Sequence, residues 1–265
     1  GFAPSHNYQN TLFRHYHDLN KYIARFQALS ANTTPDSNVL VFIPLHQALQ
    51  ERYRWIREKW DIFVSIADVL NVSFIETVNA LLYEGIGYEL FSEQMADQIQ
   101  VFDGYVEVFG YRYDTLVFPR MYHINGKTKA LIEQLKAHNV KMIFTYELPG
   151  VNTDNGEAFD PGFTMEVSNA AAGIQNDGNA WLITRPFPGD LDLYRSALRS
   201  LIPERALQID AEKGVYITKR SNEDAEVYFL CNDNETEARV ALDAVPGMQI
   251  LDPATEQEAS YRVKD

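Results

Sequence analysis

The chain has 265 residues, 46% of them apolar and 12% aromatic, enough for one large domain or two modest ones with a full hydrophobic core. A formal net charge of −14 argues against a nucleic-acid binder, whose affinity rests on neutralising phosphates, and reads as an acidic surplus that keeps the protein in solution. The single cysteine, Cys231, excludes an intrachain disulfide framework and a cysteine-based metal site, and reads as a buried small apolar residue. No apolar run approaches bilayer-spanning length, so no membrane partner is expected. The sequence opens on a helix-like segment with neither an initial Met nor a signal peptide, which reads as a piece of something longer.

In chain order, Asn10–Ala31 is predicted as a helix, with Asn10 or Thr11 as cap and an apolar stripe through Phe13, Tyr16, Leu19, Ile23 and Phe26. A polar loop with Pro35 leads into a continuous apolar strand, Val39–Ile43, closed by Pro44-Leu45-His46. Gln47 to Gly85 reads as two helices, the second at Phe74–Leu82, and it carries Tyr53, Trp55, Trp60 and Phe63 as a partner-facing surface. Tyr88–Ser92 is a strand, Ser92 to Ile99 a short helix, and Val101–Tyr113 a hairpin at the sheet edge around Asp103-Gly104 and Gly110.

Tyr111–Gly150 is the least ambiguous stretch. Thr115–Phe118 is a buried strand. Gly126–His138 is a helix with Ala130, Leu131, Ile132 and Leu135 inward and Lys127, Lys129, Glu133 and Lys136 outward. Val140–Tyr146 is a second strand, stopped by Leu148-Pro149-Gly150. A polar loop follows, then a predicted helix at Phe163–Gly173, a strand at Ala180–Thr184 and a helix at Leu191–Leu201. Five strands with intervening helices predict an α/β, flavodoxin-like, doubly wound parallel sheet in the order 2-1-3-4-5. From about Ala206 the period shortens. Ala206–Asp210, Gly214–Arg220, Glu226–Asn232, Ala238–Ala244 and Met248–Leu251 predict an antiparallel β module. The expected domains are 1–204 and 205–265.

A doubly wound sheet binds ligands at the carboxyl ends of its strands. Those ends offer His46, Glu93, Arg120, His123 and Glu147. The turn after the first strand has no glycine for a flavin phosphate. The turn after the third has neither the aspartate of a phosphoacceptor nor the Cys or Ser of a nucleophile elbow. Glu89, Glu93 and Asp97 read as solvated charges, and no pair of carboxylates is forced together for sugar hydrolysis. His15 and His17 lie two apart on one helix and make no metal pair. The remaining ligand-binding candidates are His46, Arg120, His123 and Glu147, with Arg120 placed to hold a carboxylate or hydroxyl-rich ligand. No catalytic residue, cofactor or metal is expected.

Four motifs together resemble a known family. The leading helix carries Tyr22-x-x-Arg25-x-x-x-Leu29, and Tyr113-Asp114-Thr115-Leu116-Val117-Phe118-Pro119 forms a strand. Tyr228-Phe229-Leu230-Cys231-Asn232 and Leu251-Asp252-Pro253-Ala254-Thr255-Glu256 come later. This succession resembles the portion that follows the catalytic barrel in large bacterial glycoside hydrolases of the α-L-rhamnosidase type. It departs where Leu251 replaces the usual Trp and Glu256 the usual Gly, which weakens sugar stacking on that turn. The resemblance implies an amidotransferase-like α/β domain acting as a non-catalytic accessory, with the upstream barrel of the same polypeptide as partner. It further implies carbohydrate nearby, homo-oligomeric contacts and an exported parent. The family's acid and base sit in the barrel, so no catalytic residue carries over. The rival expectations are a free-standing amidotransferase-like domain with a pocket at His46, Arg120, His123 and Glu147, and a self-contained hydrolase with an unrecognised dyad.

Overall fold

The computed structural model describes residues 11, 13–49, 74–184, 191–203, 209–211, 214–242 and 247–252. Helix α1 (Tyr16–Ser30) follows a 3-10 turn at Phe13–His15; it starts later than expected, and His15 at its cap position makes no side-chain cap bond. Strand β1 (Val39–Ile43) comes next, then α2 (Glu76–Tyr83) and β2 (Tyr88–Ser92). Residues 45–49 form one short helical turn. Tyr53, Trp55, Trp60 and Phe63, with the first of the two helices expected there, lie outside the described residues. The central unit forms as read: β3 (Thr115–Phe118), α3 (Gly126–Ala137) and β4 (Lys141–Thr145). Asn125 caps α3 through its side chain, and Thr128 rather than Ala130 completes the inner face with Leu131, Ile132 and Leu135.

The remaining strands of the main sheet are β5 (Glu166–Asn169), β6 (Ile174–Asp177) and β7 (Ala180–Ile183), followed by α4 (Leu191–Leu201). The sheet order is β5-β6-β7-β4-β3-β1-β2. Strands β2, β1, β3, β4 and β7 are mutually parallel, in the sequence order expected of the five; β6 and β5 are antiparallel additions. The helix expected at Phe163–Gly173 is therefore a correction: that stretch supplies β5 and the turn into β6. An edge at β7 would leave a row of backbone N–H and C=O groups unpaired, and β6 satisfies them from Ile174↔Ile183 to Asp177↔Ala180. Tertiary pairing overrides the helical propensity of Ala170–Ala172.

Both faces of the sheet are covered. On one, Leu40, Phe42, Leu116, Phe118, Met142 and Phe144 pack against Leu131, Ile132 and Leu135 of α3. On the other, Val39, Val41, Val117, Ile143 and Ile183 pack against Ala80 and Leu81 of α2 and Tyr194, Ala197 and Leu198 of α4. The alternation follows from the period-2 direction of strand side chains, and continuous apolar strands are what a sheet buried on both faces requires. The Val101–Tyr113 stretch is not a hairpin on the sheet edge. It is a separate three-stranded meander (Gln100–Phe102, Tyr105–Val108, Tyr111–Tyr113) whose Val106, Val108 and Tyr113 join the α3-side core.

In the C-terminal region, β8 (Val215–Ser221) and β9 (Glu226–Asn232) pair antiparallel, and β8 also pairs with Thr34–Pro35. Ile209–Ala211 pairs with Val240–Leu242, and the strand expected at Met248–Leu251 shrinks to one bridge position at Leu251. Cys231 is exposed, against expectation, because β9 presents its last residues to solvent rather than to a second sheet.

On the α3 side one phenyl ring from each of four neighbouring strands forms a row. Phe42 lies 5.7 Å from Phe91 and 4.8 Å from Phe118, and Phe118 lies 5.0 Å from Phe144. Phe118 sits in the middle at 1% exposure. Truncating it to Ala is expected to cost about 3–5 kcal/mol, read from urea unfolding midpoints; a loss under about 1 kcal/mol would show that the row is not the centre of the core.

Candidate functional site

Beyond the phenylalanine row, the carboxyl ends of β1, β2, β3 and β4 converge on two polar clusters. The first is built around the turn after β1. Glu93, directly after β2, is fully buried; its Oε1 accepts the backbone N–H of His46, and the backbone of Leu45 also faces its carboxyl. Its Oε2 is buried without a hydrogen-bond partner among the described residues. Burial pushes the Glu93 carboxyl up to about 7, against the lowering effect of the two backbone donors. The reading of Glu93 as a solvated charge is thus overturned: the short 3-10 segment Glu93–Gln98, capped by Ser92, packs against α3, and Glu93 is buried there. Glu89 is half-buried, and its carboxyl too is raised, chiefly by burial. Asp97 is surface-exposed and pairs with Lys127 at 2.9 Å, as a solvated charge should.

The turn that Glu93 holds carries His46 and Gln47. Asn125 Oδ1 accepts from Thr128 N at 2.8 Å, so its amide nitrogen donates to His46 Nε2 at 3.2 Å. That order puts the imidazole proton on Nδ1, which donates to Thr153 Oγ1 at 3.2 Å; the Thr153 hydroxyl donates in turn to Ile124 O at 3.0 Å. Gln47 Oε1 accepts from the backbone N–H of His123 at 2.9 Å and lies 3.0 Å from its Nδ1. One turn therefore ties together the loop after β3, the cap of α3 and the loop after β4.

The second cluster lies toward α2 and α4. Tyr194 is 2% exposed, its hydroxyl lies 2.6 Å from Thr77 Oγ1, and burial drives its phenol far upward. The Tyr146 hydroxyl donates to the Glu76 carboxylate. Tyr146 also has φ +73°, a left-handed conformation that bulky residues rarely adopt, at the point where β4 ends. Thr145 Oγ1 accepts the backbone N–H of Arg120 at 3.2 Å, and the Arg120 side chain bonds Glu147 Oε1 at 2.8 Å.

The four sequence-derived candidates therefore divide. Arg120 and Glu147 meet as an ion pair, each side chain a little over a third exposed. His46 and His123 belong to the other cluster, and His123 turns to Gln47 rather than to Arg120. Sequence reasoning did not single out Asn125, Thr153, Glu93 in its buried role, or Tyr146. Asn125 had a legible signal, an Asn three residues before Thr128 at a helix start; the others depend on contacts across 29 to 107 residues of chain. Among the described residues no group of His, Cys, Asp and Glu is arranged to hold a metal, and no helix is long and apolar enough to cross a membrane.

No protein-family model matches the chain, and no curated protein matches it in sequence. Solved structures of glycoside hydrolases match it in fold. A GH42 β-galactosidase from G. stearothermophilus has a TM-score of 0.62 at 13% identity, over 94% of this chain and 41% of that one. A β-galactosidase from Bacillus circulans sp. alkalophilus has a TM-score of 0.56 at 14% identity, over 96% of this chain and 43% of that one. A GH42 exo-carrageenase from Bacteroides ovatus has a TM-score of 0.50 at 11% identity, over 92% of this chain and 29% of that one. The likeness is one of fold, and this chain spans well under half the length of the structures it matches.

The buried carboxyl sets a pH dependence. The folded Glu93 titrates at about 7 against an ordinary 4.5, so its contribution to stability is fully present below about 4.5 and is lost as pH rises through about 7. The loss is on the order of 3 kcal/mol. Glu93→Gln keeps an acceptor for His46 and Leu45 and removes the titration. Urea midpoints of the variant should fall less between pH 5 and 8 than those of the parent, the remaining slope coming from other groups such as Glu89. Parallel curves would refute a buried, titrating Glu93. Asn125→Ala, which removes the α3 cap and the donor to His46, should cost about 1–2 kcal/mol by the same measurement.

Proposed function

We propose that this chain is a non-catalytic accessory portion of a larger glycoside hydrolase, joined in the same polypeptide to a catalytic barrel. The observation that carries this reading is the fold likeness to GH42 enzymes, which takes in 94–96% of this chain but only 41–43% of two β-galactosidases. The carboxyl ends of the sheet point the same way. Their polar groups pair with one another, and the turn after β3 is Pro119-Arg120, with no nucleophile. In this reading 1–204 is an amidotransferase-like α/β domain and 205–265 the start of a β module. Its role is to support the barrel, make subunit contacts or wall the substrate cleft. The sequence motifs put a rhamnoside-cleaving parent first, whereas the fold likeness favours one of β-galactosidase type. Export of the parent rests on the sequence resemblance.

A second reading makes this a free-standing amidotransferase-like domain with the Arg120–Glu147 pair as its small-ligand site. The partial exposure of that pair at the carboxyl ends favours it.

The isolated chain should release no aryl aglycone from aryl galactosides or rhamnosides, while the polypeptide translated from the full reading frame should. Turnover by the isolated chain would sink the accessory reading. For the second reading, calorimetric titration with galactose, rhamnose and galacturonate should show binding that Arg120→Ala abolishes; no heat with any of the three counts against it.

A further inference from the structure

Helices α2, α3 and α4 each bury residues in the core, whereas α1 buries none. It is nevertheless amphipathic: Tyr16, Leu19, Tyr22, Ile23, Phe26 and Leu29, with Phe13 of the preceding turn, recur at the three- and four-residue spacing of one helical face. Phe13 is 46% exposed, Leu19 50%, Tyr22 39% and Ile23 41%. A helix of 15 residues is marginal on its own in water and takes its stability from covering such a face.

The far end of the helix is already anchored. Phe26 stacks on Phe229 of β9 at 5.5 Å, and Arg220 of β8 bonds Thr33 through its hydroxyl at 3.0 Å and its carbonyl at 2.6 Å. The first turns of α1 extend past this anchor with Leu19, Tyr22 and Ile23 exposed. Contiguous exposed apolar surface held in place in this way marks a contact surface.

We infer that the face formed by Leu19, Tyr22 and Ile23 of α1, with Phe13 of the turn before it, docks on the catalytic domain of the same polypeptide. This rests on the accessory reading above and names the surface that carries it. Two observations choose the occupant. More than half of each matched β-galactosidase lies outside the region this chain covers, which leaves a body large enough to seat the helix. In addition, 13–30 carries Arg14, Lys21 and Arg25 against one acid, Asp18, on a chain whose net charge is −14. Pairing two copies of this face would bring two basic segments together, so a second copy is the poorer fit.

The test compares this chain with the polypeptide of the full reading frame. Amide hydrogen exchange across 16–26 should be at least about tenfold slower in the full polypeptide. The double variant Leu19→Glu, Ile23→Glu should leave the thermal midpoint of the isolated chain unchanged, because both side chains are exposed there, and should remove the protection in the full polypeptide. A reading frame that encodes no second domain overturns the accessory reading and this inference with it. A second domain with equal exchange in both forms overturns this inference alone. So does an isolated chain that sediments as a dimer and becomes monomeric in the double variant, which assigns the face to a second copy. Slow exchange in the isolated monomer assigns it to another segment of this chain.

Discussion

The row Phe91–Phe42–Phe118–Phe144 is the contact on which the rest of the α/β unit depends. Each ring comes from a different strand, and strand neighbours bring them to within stacking distance only when β2, β1, β3 and β4 are in register. A slip of one residue would turn every ring to the opposite face, where α2 and α4 pack against smaller Val and Ile side chains. The two faces thus fix the register from opposite sides, with large rings under α3 and β-branched residues under α2 and α4. Parallel strands cannot be joined by tight turns, so α2 and α3, which cover the sheet, also lie in its crossover connections.

That packing places the strand ends, and the polar clusters there serve the packing. A fully buried carboxyl beside two backbone N–H groups would be costly anywhere on the molecule; here it holds the turn whose His46 and Gln47 join three other loops. The strained Tyr146 hands its hydroxyl to Glu76 and lies beside Tyr194, so β4 is tied to both helices of its face. Where this fold elsewhere exposes reactive groups, this chain spends its polar side chains on one another. The Arg120–Glu147 pair is partly solvated and contributes little to stability, about 0–1 kcal/mol.

The departures from the sequence reading have one kind of cause. Residues 163–173 contain an alanine run and end in glycine, which locally is a helix with a terminator; the open edge of β7 makes a strand pair the better outcome. Glu93 follows a strand and precedes polar residues, which locally is a surface acid; the turn after β1 and α3 enclose it. The meander itself alternates as a hairpin would, and whether it extends the main sheet or packs on its face is decided by Val106, Val108 and Tyr113 meeting the core. His123 is three residues from Arg120, yet its ring is claimed by Gln47 from a turn 76 residues earlier.

The sequence by itself determined the parallel sheet, the order of its five strands, the α3 crossover, the antiparallel character of the C-terminal region and the lack of a nucleophile after β3. These are properties of local period, of apolar runs bounded by Pro and Gly, and of residues simply being there or not. Tertiary structure alone decided which edge β6 and β5 complete, which acid is buried, how the four candidate side chains are partnered, and that α1 carries an apolar face away from this core. Each of those depends on which segments come together across the chain, and a buried group's partners are set by packing rather than by its neighbours in sequence.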